Sequence, residues 1–139
     1  MKQIGSGGHS TVKLAMERTT GRFVVCKFIR ESSIWHWYTD PVTNTKSPLE
    51  IHLMKNFSNE PRLNGSIIKY IEHYEYPGRY IIVMEYLGEE WIDLYDYIEI
   101  FSPISERDTQ FIFRQVMECL SCLHWLGYTH NDIKGKNNE

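Results

Sequence analysis

The stretch YTHNDIKGKN, residues 128–137, decides how this 139-residue chain is interpreted, because it places three polar groups at fixed spacing after a helix-forming segment. Asp132 supplies a carboxylate, Lys134 an ammonium group and Asn137 an amide. In phosphoryl transfer, a carboxylate can accept a hydroxyl proton, an ammonium can neutralise the transferred group, and an amide can bind Mg²⁺. A solvated turn rich in Asn, Lys and Gly has the same composition, so this stretch alone leaves both interpretations open.

A glycine-rich stretch, IGSGGHSTV, lies at residues 4–12, near the other end of the chain. Gly5, Ser6 and Gly7 would let backbone amides approach phosphate oxygens, because no bulky side chain stands in the way there. A simple hairpin turn needs the same residues, so a phosphate loop is only one of two interpretations. A dinucleotide-binding fold is disfavoured, because the residues up to and beyond Val12 predict a strand where that fold needs a helix.

Lys27 and Glu50 are each open to a structural and a functional interpretation. Lys27 ends the apolar run VVCK at residues 24–27, where a lysine is either a functional cation or a guard against edge-to-edge aggregation. Ser47 and Pro48 predict a helix start, with Ser47 as N-cap, Pro48 at the first helical position and Glu50 completing a capping box. A carboxylate turned back to its own helix cannot also pair with Lys27, so the two roles of Glu50 compete.

Hydrophobic periodicity predicts a sheet followed by helices. Composition changes from strand-rich to helix-rich at residues 87–90, which predicts a boundary between residues 1–87 and 88–139. The front strand before the glycines is expected to be nearly absent. The predicted strands are 10–16, 23–29, 67–71 and 80–86, the predicted loops 31–47 and 56–66, and the predicted helices 47–57, 93–101 and 105–126.

Composition narrows the range of partners. The net charge of −3 provides no basic field, so binding to nucleic acid or to an anionic membrane surface is not expected. The chain shows no signal-peptide core and no apolar run of membrane-spanning length, so we expect a cytoplasmic protein, with the nucleus as an alternative. Cys119 and Cys122 lie on a predicted helix without a second ligand pair, which favours packing over metal binding or redox chemistry.

Taken in order, these motifs resemble those of the protein kinase family over nearly the whole chain. The glycine stretch is similar to G-x-G-x-x-G-x-V, residues 24–27 to V-A-I-K, and residues 130–137 to H-R-D-[LI]-K-x-x-N of the serine/threonine type. Departures from the family pattern include Ser10 in place of the third glycine, Val25 in place of an alanine and Asn131 in place of an arginine. The aromatic insert between Lys27 and Glu50, together with residues 93–98, looks most like the same parts of PAS-domain kinases and Pim-type relatives, in the calcium/calmodulin-kinase-like group.

The resemblance implies an ATP site in the first part of the chain. Lys27 would reach the α- and β-phosphates and would be fixed there by Glu50. Met84 would guard the adenine pocket, and the backbone of Glu85 and Leu87 would hydrogen-bond the base. The remaining residues that the resemblance implies for nucleotide binding are Gly5, Ser6, Gly7, Val12, Val25 and Asp93.

The last part of the chain is implied to carry the catalytic loop. By resemblance, Asp132 positions the substrate hydroxyl and takes its proton, Lys134 steadies the γ-phosphate, and Asn137 binds Mg²⁺. His130 is expected to pack under the loop. Asp93 is implied to bind the ribose, although capping of the following helix explains it equally well.

The resemblance implies an α+β fold: a five-stranded antiparallel small lobe with one helix, followed by the first helices of the large lobe. It implies transfer of the γ-phosphoryl group of ATP, with Mg²⁺, to a serine or threonine of a protein or peptide. A non-catalytic, pseudokinase-like module that binds nucleotide or a partner is the alternative. Because no D-F-G follows Asn137 in these 139 residues, we expect the chain alone to transfer phosphate poorly or not at all.

Overall fold

The computed structural model describes residues 1–7 and 10–133. These residues form two compact units, residues 1–86 and residues 87–133. The assignment of the two units to a small and a large kinase lobe stays a prediction. None of the helices in the described ranges has the length and apolar content needed to cross a bilayer.

The first unit is built on a five-stranded antiparallel sheet, as the sequence predicts. Its spatial order is β1-β2-β3-β7-β6, and every neighbouring pair is antiparallel. A separate two-stranded sheet is formed by β4 and β5. The strands are β1 (Lys2–Gly7), β2 (Ser10–Met16), β3 (Phe23–Arg30), β4 (Trp37–Thr39), β5 (Lys46–Pro48), β6 (Tyr70–Tyr76) and β7 (Arg79–Glu85).

Strands β3 and β7 form the centre of the sheet and are buried on both faces. Because successive strand residues point to opposite faces, each strand contributes to two apolar clusters. One cluster packs against helix α1 (Leu49–Ser58) through its buried residue Ile51. The sheet residues of this first cluster are Ile29, Tyr80, Ile82 and Met84, and those of the second, on the other face, are Val24, Cys26 and Val83. Burial on both faces explains why these strands are almost continuously apolar in sequence.

The prediction of a structured loop at residues 31–47 missed regular strand pairing, because this segment contains most of the β4–β5 hairpin. Its tip is held by Asp40, whose Oδ1 accepts hydrogen bonds from the amides of Val42 and Thr43 at 2.8 and 2.9 Å. Asn44 adopts a left-handed conformation with φ 57°, which asparagine tolerates better than most residues. Pairing of β-prone residues thus replaces the expected loop.

The prediction of a capping box at the start of α1 is also wrong. Ser47 pairs with Tyr38 within the hairpin, and Pro48 is extended at φ −53° and ψ 133°. The first helical amide, that of Leu49, donates instead to the carbonyl oxygen of His36 at 3.0 Å. A backbone group from elsewhere in the fold therefore takes the part of the N-cap side chain.

Several predicted boundaries shift by a few residues. The expectation of an almost absent front strand is wrong, because β1 spans Lys2–Gly7 and pairs with β2. The strand predicted at 67–71 begins only at Tyr70. The segment predicted as a loop from residue 56 contains the end of α1 and a 3₁₀ turn, Pro61–Leu63, whose Leu63 is 1% exposed.

The second unit contains two helices, α2 (Leu94–Phe101) and α3 (Glu106–Trp125). Ser105 caps α3, since its side chain accepts a hydrogen bond from the amide of Asp108 at 3.1 Å. After its last residue, Trp125, the helix is terminated by Gly127, which has φ 85° and whose amide donates to His124 O, while the amide of Tyr128 donates to Leu123 O. These two bonds form a Schellman motif, and the predicted helix end at residue 126 is correct to within one residue.

The apolar face predicted for α3 is only partly covered. Of its apolar residues, Leu123 is buried, Ile112, Val116 and Leu120 are half-buried, and Phe113 and Met117 are 64% and 44% exposed. Cys119 and Cys122 on this helix are free, half-buried thiols. Burial raises the pKa of the Cys119 thiol, which disfavours the thiolate that redox chemistry and metal binding need.

We expect the substitution Ile82→Ala to destabilise the first unit strongly. Ile82 is 0% exposed and lies at the centre of the cluster under α1, so its loss leaves a cavity that costs about 2–5 kcal/mol. The measurement is the free energy of unfolding from urea denaturation followed by circular dichroism. Ile68→Ala is the matched control, since Ile68 is 47% exposed and should cost under about 1 kcal/mol. Equal costs for the two variants would contradict the assignment of this core.

Candidate functional site

Lys27 and Glu50 form an ion pair that joins the central strand of the sheet to helix α1. Lys27 lies opposite Ile82, on the face of β3 that carries the cluster packed against α1. Its Nζ donates to Glu50 Oε1 at 2.6 Å. Glu50 is therefore engaged with the lysine, and the competing role in a capping box is not adopted.

The pair is partly open to solvent, with side-chain exposures of 28% for Lys27 and 41% for Glu50. Ion pairs with this access to water contribute at most about 1 kcal/mol to stability. The main effect of the ion pair is therefore to fix the position of the Lys27 ammonium group. The ammonium group has three N–H donors, so one can stay on Glu50 while others meet an anionic ligand.

The glycine-rich stretch lies in a strand rather than in the predicted loop over its described part. Gly5 pairs with Val12, Ser6 with Thr11 and Gly7 with Ser10, and the register shifts between Gln3 and Gly5. A Cβ atom on Gly5 would lie 3.6 Å from Val12 Cβ, an ordinary contact. The fold therefore does not require glycine at this position. The next two residues, 8 and 9, lie outside the described ranges.

Val12 and Val25 lie next to this lysine in the sheet. Val12 is the cross-strand partner of Lys27 on β2. Val25 is two residues before Lys27 on β3, on the same face, and packs against the cluster that contains Met84. An apolar surface therefore lies beside the lysine, as a flat aromatic ligand would need.

At the end of β7, Met84 and Glu85 have different surroundings. Met84 is 8% exposed and belongs to the cluster under α1. The amide of Glu85 donates to Lys69 O at 3.0 Å, and its carboxylate accepts from the amide of Lys69 at 2.6 Å. Because its N–H is already engaged, Glu85 could meet a base only through its carbonyl oxygen.

Leu87 and Asp93 belong to the second unit. Leu87 is 40% exposed. Asp93 caps α2, since its Oδ1 accepts a hydrogen bond from the amide of Asp96 at 2.8 Å. The structural role of Asp93 is thus present, while its implied contact with a ribose stays a prediction.

Asp132 follows the Schellman motif that ends α3 and is exposed. Its amide donates to His130 Nδ1 at 3.3 Å. His130 is exposed, so the expectation that it packs under the loop is wrong. Asn131 has φ 60°, a left-handed conformation that asparagine adopts more readily than arginine. The two other residues predicted for catalysis here, Lys134 and Asn137, lie outside the described residues.

The structure thus brings together the candidate residues of the first unit around Lys27. Glu50 contacts it directly, Val12 and Val25 flank it in the sheet, and Gly5 is paired with Val12. Sequence reasoning missed the bonds that Lys69 makes with Glu85, and it missed the hairpin before α1. A run rich in aromatic residues with β-branched residues at its ends, Ile34 to Thr39, followed by Asp-Pro, was the signal for the hairpin.

Comparison of the sequence with known proteins shows which family the chain belongs to. The sequence pattern of the family described as "Protein kinase domain" matches residues 1–138. The mouse NUAK family SNF1-like kinase 1 is 34% identical over 134 residues, which cover 96% of this chain and 19% of that protein. The maternal embryonic leucine zipper kinase of Xenopus tropicalis is 33% identical over 135 residues, with coverage of 96% and 19%.

A third relative, the serine/threonine-protein kinase cds1 of Schizosaccharomyces pombe, is 30% identical over 137 residues, which cover 99% of this chain and 28% of that protein. The chain therefore spans between about a fifth and about a quarter of the length of these curated relatives. The family match extends over almost all of its residues. The chain belongs to the protein kinase family, and the relatives that it resembles are named as kinases.

Proposed function

We propose that this chain provides the nucleotide-binding part and the catalytic loop of an enzyme that phosphorylates serine or threonine in a protein or peptide. The observation that carries the proposal is the 2.6 Å pair between Lys27 Nζ and Glu50 Oε1. In the family, this lysine–glutamate pair must be formed for phosphoryl transfer. The names of the relatives are those of kinases, and none of them favours the non-catalytic alternative.

The residues around Lys27 fit ATP. The ammonium group of Lys27 would hold the α- and β-phosphates, and Glu50 would keep it there. The backbone of Gly5, Ser6 and Gly7 would approach the phosphates, and Val12 with Val25 would cover the base. Met84 would border the base, and Glu85 and Leu87 would offer it backbone hydrogen bonds, with Asp93 near the ribose.

For the catalytic loop we assign roles by residue type. ATP, when bound, supplies the phosphoryl group, and Mg²⁺ neutralises its charge. Asp132 would orient the substrate hydroxyl and accept its proton, and Lys134 would neutralise the developing charge. Asn137 would hold Mg²⁺. The exposure of Asp132 is compatible with access by a peptide hydroxyl.

We also propose that the protein works in the cytoplasm. The three cysteines of the chain are free thiols, as is usual for a protein kept in a reducing compartment.

We expect Lys27→Ala to weaken binding of Mg-ATP by the purified chain about tenfold or more, because a hydrogen bond to a charged phosphate is lost. Isothermal titration calorimetry measures the affinity. Lys13→Ala is the matched control: Lys13 lies on neighbouring β2, and its Nζ lies 5.3 Å from the centre of the Phe28 ring, on the other face of the sheet from Lys27. An equal loss in both variants would argue that general charge, rather than this site, holds the nucleotide.

The role of Asp132 is tested by Asp132→Asn in any protein that includes these 139 residues and labels a serine peptide. We expect the rate to fall about 10²- to 10⁴-fold, because an amide cannot accept the hydroxyl proton. Transfer of radioactive phosphate from Mg-ATP is the measurement. Asp108→Asn, in the first turn of α3, is the control and should leave the rate unchanged. A fully active Asp132→Asn protein would remove Asp132 from the mechanism.

Within the family, we propose that the chain belongs to the calcium/calmodulin-kinase-like group and is related to PAS-domain kinases and Pim-type relatives. The support is the aromatic insert between Lys27 and Glu50, together with residues 93–98. Separately, Asn131 stands in the place of an arginine of the family pattern. That arginine is the cation on which a phosphorylated activation loop can dock. Without it, activity should not depend on such a phosphate.

We therefore expect phosphatase treatment to leave the activity of the protein that contains this chain within about twofold of its initial value, because Asn131 cannot pair with a phosphate as arginine does. The measurement is peptide phosphorylation before and after treatment, with mass spectrometry to confirm removal of phosphate. Loss of activity on dephosphorylation would count against the proposed relationship.

A further inference from the structure

The β4–β5 hairpin is continuous with helix α1. Strand β5 ends at Pro48 and the helix begins at Leu49, with no residue between them. Pro48 is among the fully buried side chains, so the junction is fixed in the interior. Because proline also restricts its own φ angle, this junction has little freedom to bend.

Three contacts hold the first turns of α1. The amide of Leu49 donates to His36 O, just before β4, at 3.0 Å. Ile51 is 3% exposed in the cluster on the sheet. His52 is stacked on Tyr38 of β4, with ring centroids 3.5 Å apart and planes at 20°. Glu50 lies between these anchored residues.

The hairpin itself is fixed to the sheet. Trp37 packs edge-on against Tyr80 of β7, with ring centroids 6.0 Å apart, and contacts the cluster under α1. Lys46 covers the Trp37 ring at 4.7 Å. At the tip, the backbone bonds to the carboxyl of Asp40 hold its pKa below the ordinary value. Tyr38, which stacks on His52, therefore belongs to a strand that is fixed to the sheet.

The helix is also held at its other end. The side chain of Ser58, the last residue of α1, accepts a hydrogen bond from the amide of Tyr70 on β6 at 2.7 Å. Asn56 Nδ2 lies 2.9 Å from His52 Nε2, one turn back along the helix. The stacked His52 ring is thus held from two sides, by Tyr38 and by its own helix.

We infer that the β4–β5 hairpin, acting through the Tyr38–His52 stack, positions Glu50 on Lys27, so that Tyr38 and His52 are positioning residues of the proposed kinase site. The functional value of this role rests on the proposed function, since it is the Lys27–Glu50 pair that would orient the nucleotide. In kinases the placement of this helix is a point of control. In this chain the β4–β5 hairpin would hold helix α1 in its place.

The test measures how fast the Lys27 amine of the purified chain is acylated by an N-hydroxysuccinimide ester, quantified by mass spectrometry. An amine released from its hydrogen bond to a carboxylate is more accessible to the ester and reacts faster. Exposed Lys55 on the same helix serves as the internal reference. The variants are Tyr38→Ala, Tyr38→Phe, His52→Ala, Glu50→Gln and, as a matched control, Tyr76→Ala.

We expect Tyr38→Ala and His52→Ala to accelerate acylation of Lys27 roughly two- to fivefold, the range for loss of a partly exposed ion pair, and to match Glu50→Gln. Tyr38→Phe keeps the ring and should behave as wild type. Tyr76→Ala should also do so, because Tyr76 is 50% exposed on the edge strand. Wild-type rates in both alanine variants would overturn the inference.

Hydrogen exchange on the same samples separates positioning from general stability. Amide hydrogen exchange should become faster at residues 49–53 of α1 and stay unchanged at residues 79–85, which form strand β7. An equal rise in both ranges would mean that the ring only stabilises the fold, and the positioning role would be wrong. If Tyr38→Ala fails to fold, His52→Ala decides, because alanine is the best helix former.

Binding of Mg-ATP by the unmodified chain is measured in parallel. Absence of binding would count against the proposed function and leave the acylation result interpretable, because that reaction needs no nucleotide. Weaker binding in Tyr38→Ala, with Tyr38→Phe unchanged, would support the role of the stack at the site.

Discussion

The ion pair between Lys27 and Glu50 is the contact around which the first unit is organised. Lys27 places a charge in a strand whose neighbours are buried on both faces, and Glu50 provides a carboxylate partner on the side of the ammonium group that faces α1. The carboxylate comes from a separate element, so the pair exists only if α1 is packed on the sheet. Burial of Ile51 provides that packing. The apolar cluster thus stabilises the packing of α1 on the sheet, and the ion pair then holds the Lys27 ammonium group in one defined position.

The sheet could be predicted because its central strands are apolar on both faces, and no other element explains runs such as residues 80–86. The way in which α1 begins could not be predicted from the sequence. Ser47, Pro48 and Glu50 satisfy a local capping rule, yet all three are taken by other partners: a strand, the interior and a lysine. Local rules fail here because the bond from Leu49 to His36 joins residues whose proximity depends on the hairpin.

The order of the candidate site residues could be predicted from motif spacing, and so could the pairing of Lys27 with Glu50 once the family was considered. Their surroundings could not. Nothing in the sequence around Glu85 indicates that Lys69 engages both its amide and its carboxylate. The left-handed conformation of Asn131 is likewise not evident from the sequence, and it gives a backbone reason for asparagine at a position where the family pattern has arginine.

The direct junction between β5 and α1 couples the hairpin to the helix, because no residue lies between them to absorb a movement. A movement of α1 would therefore also displace the hairpin, whose tip carries Val42 at 90% exposure. A fluorophore attached there would report the tilt of the helix from outside the site, without touching any group that would contact the nucleotide.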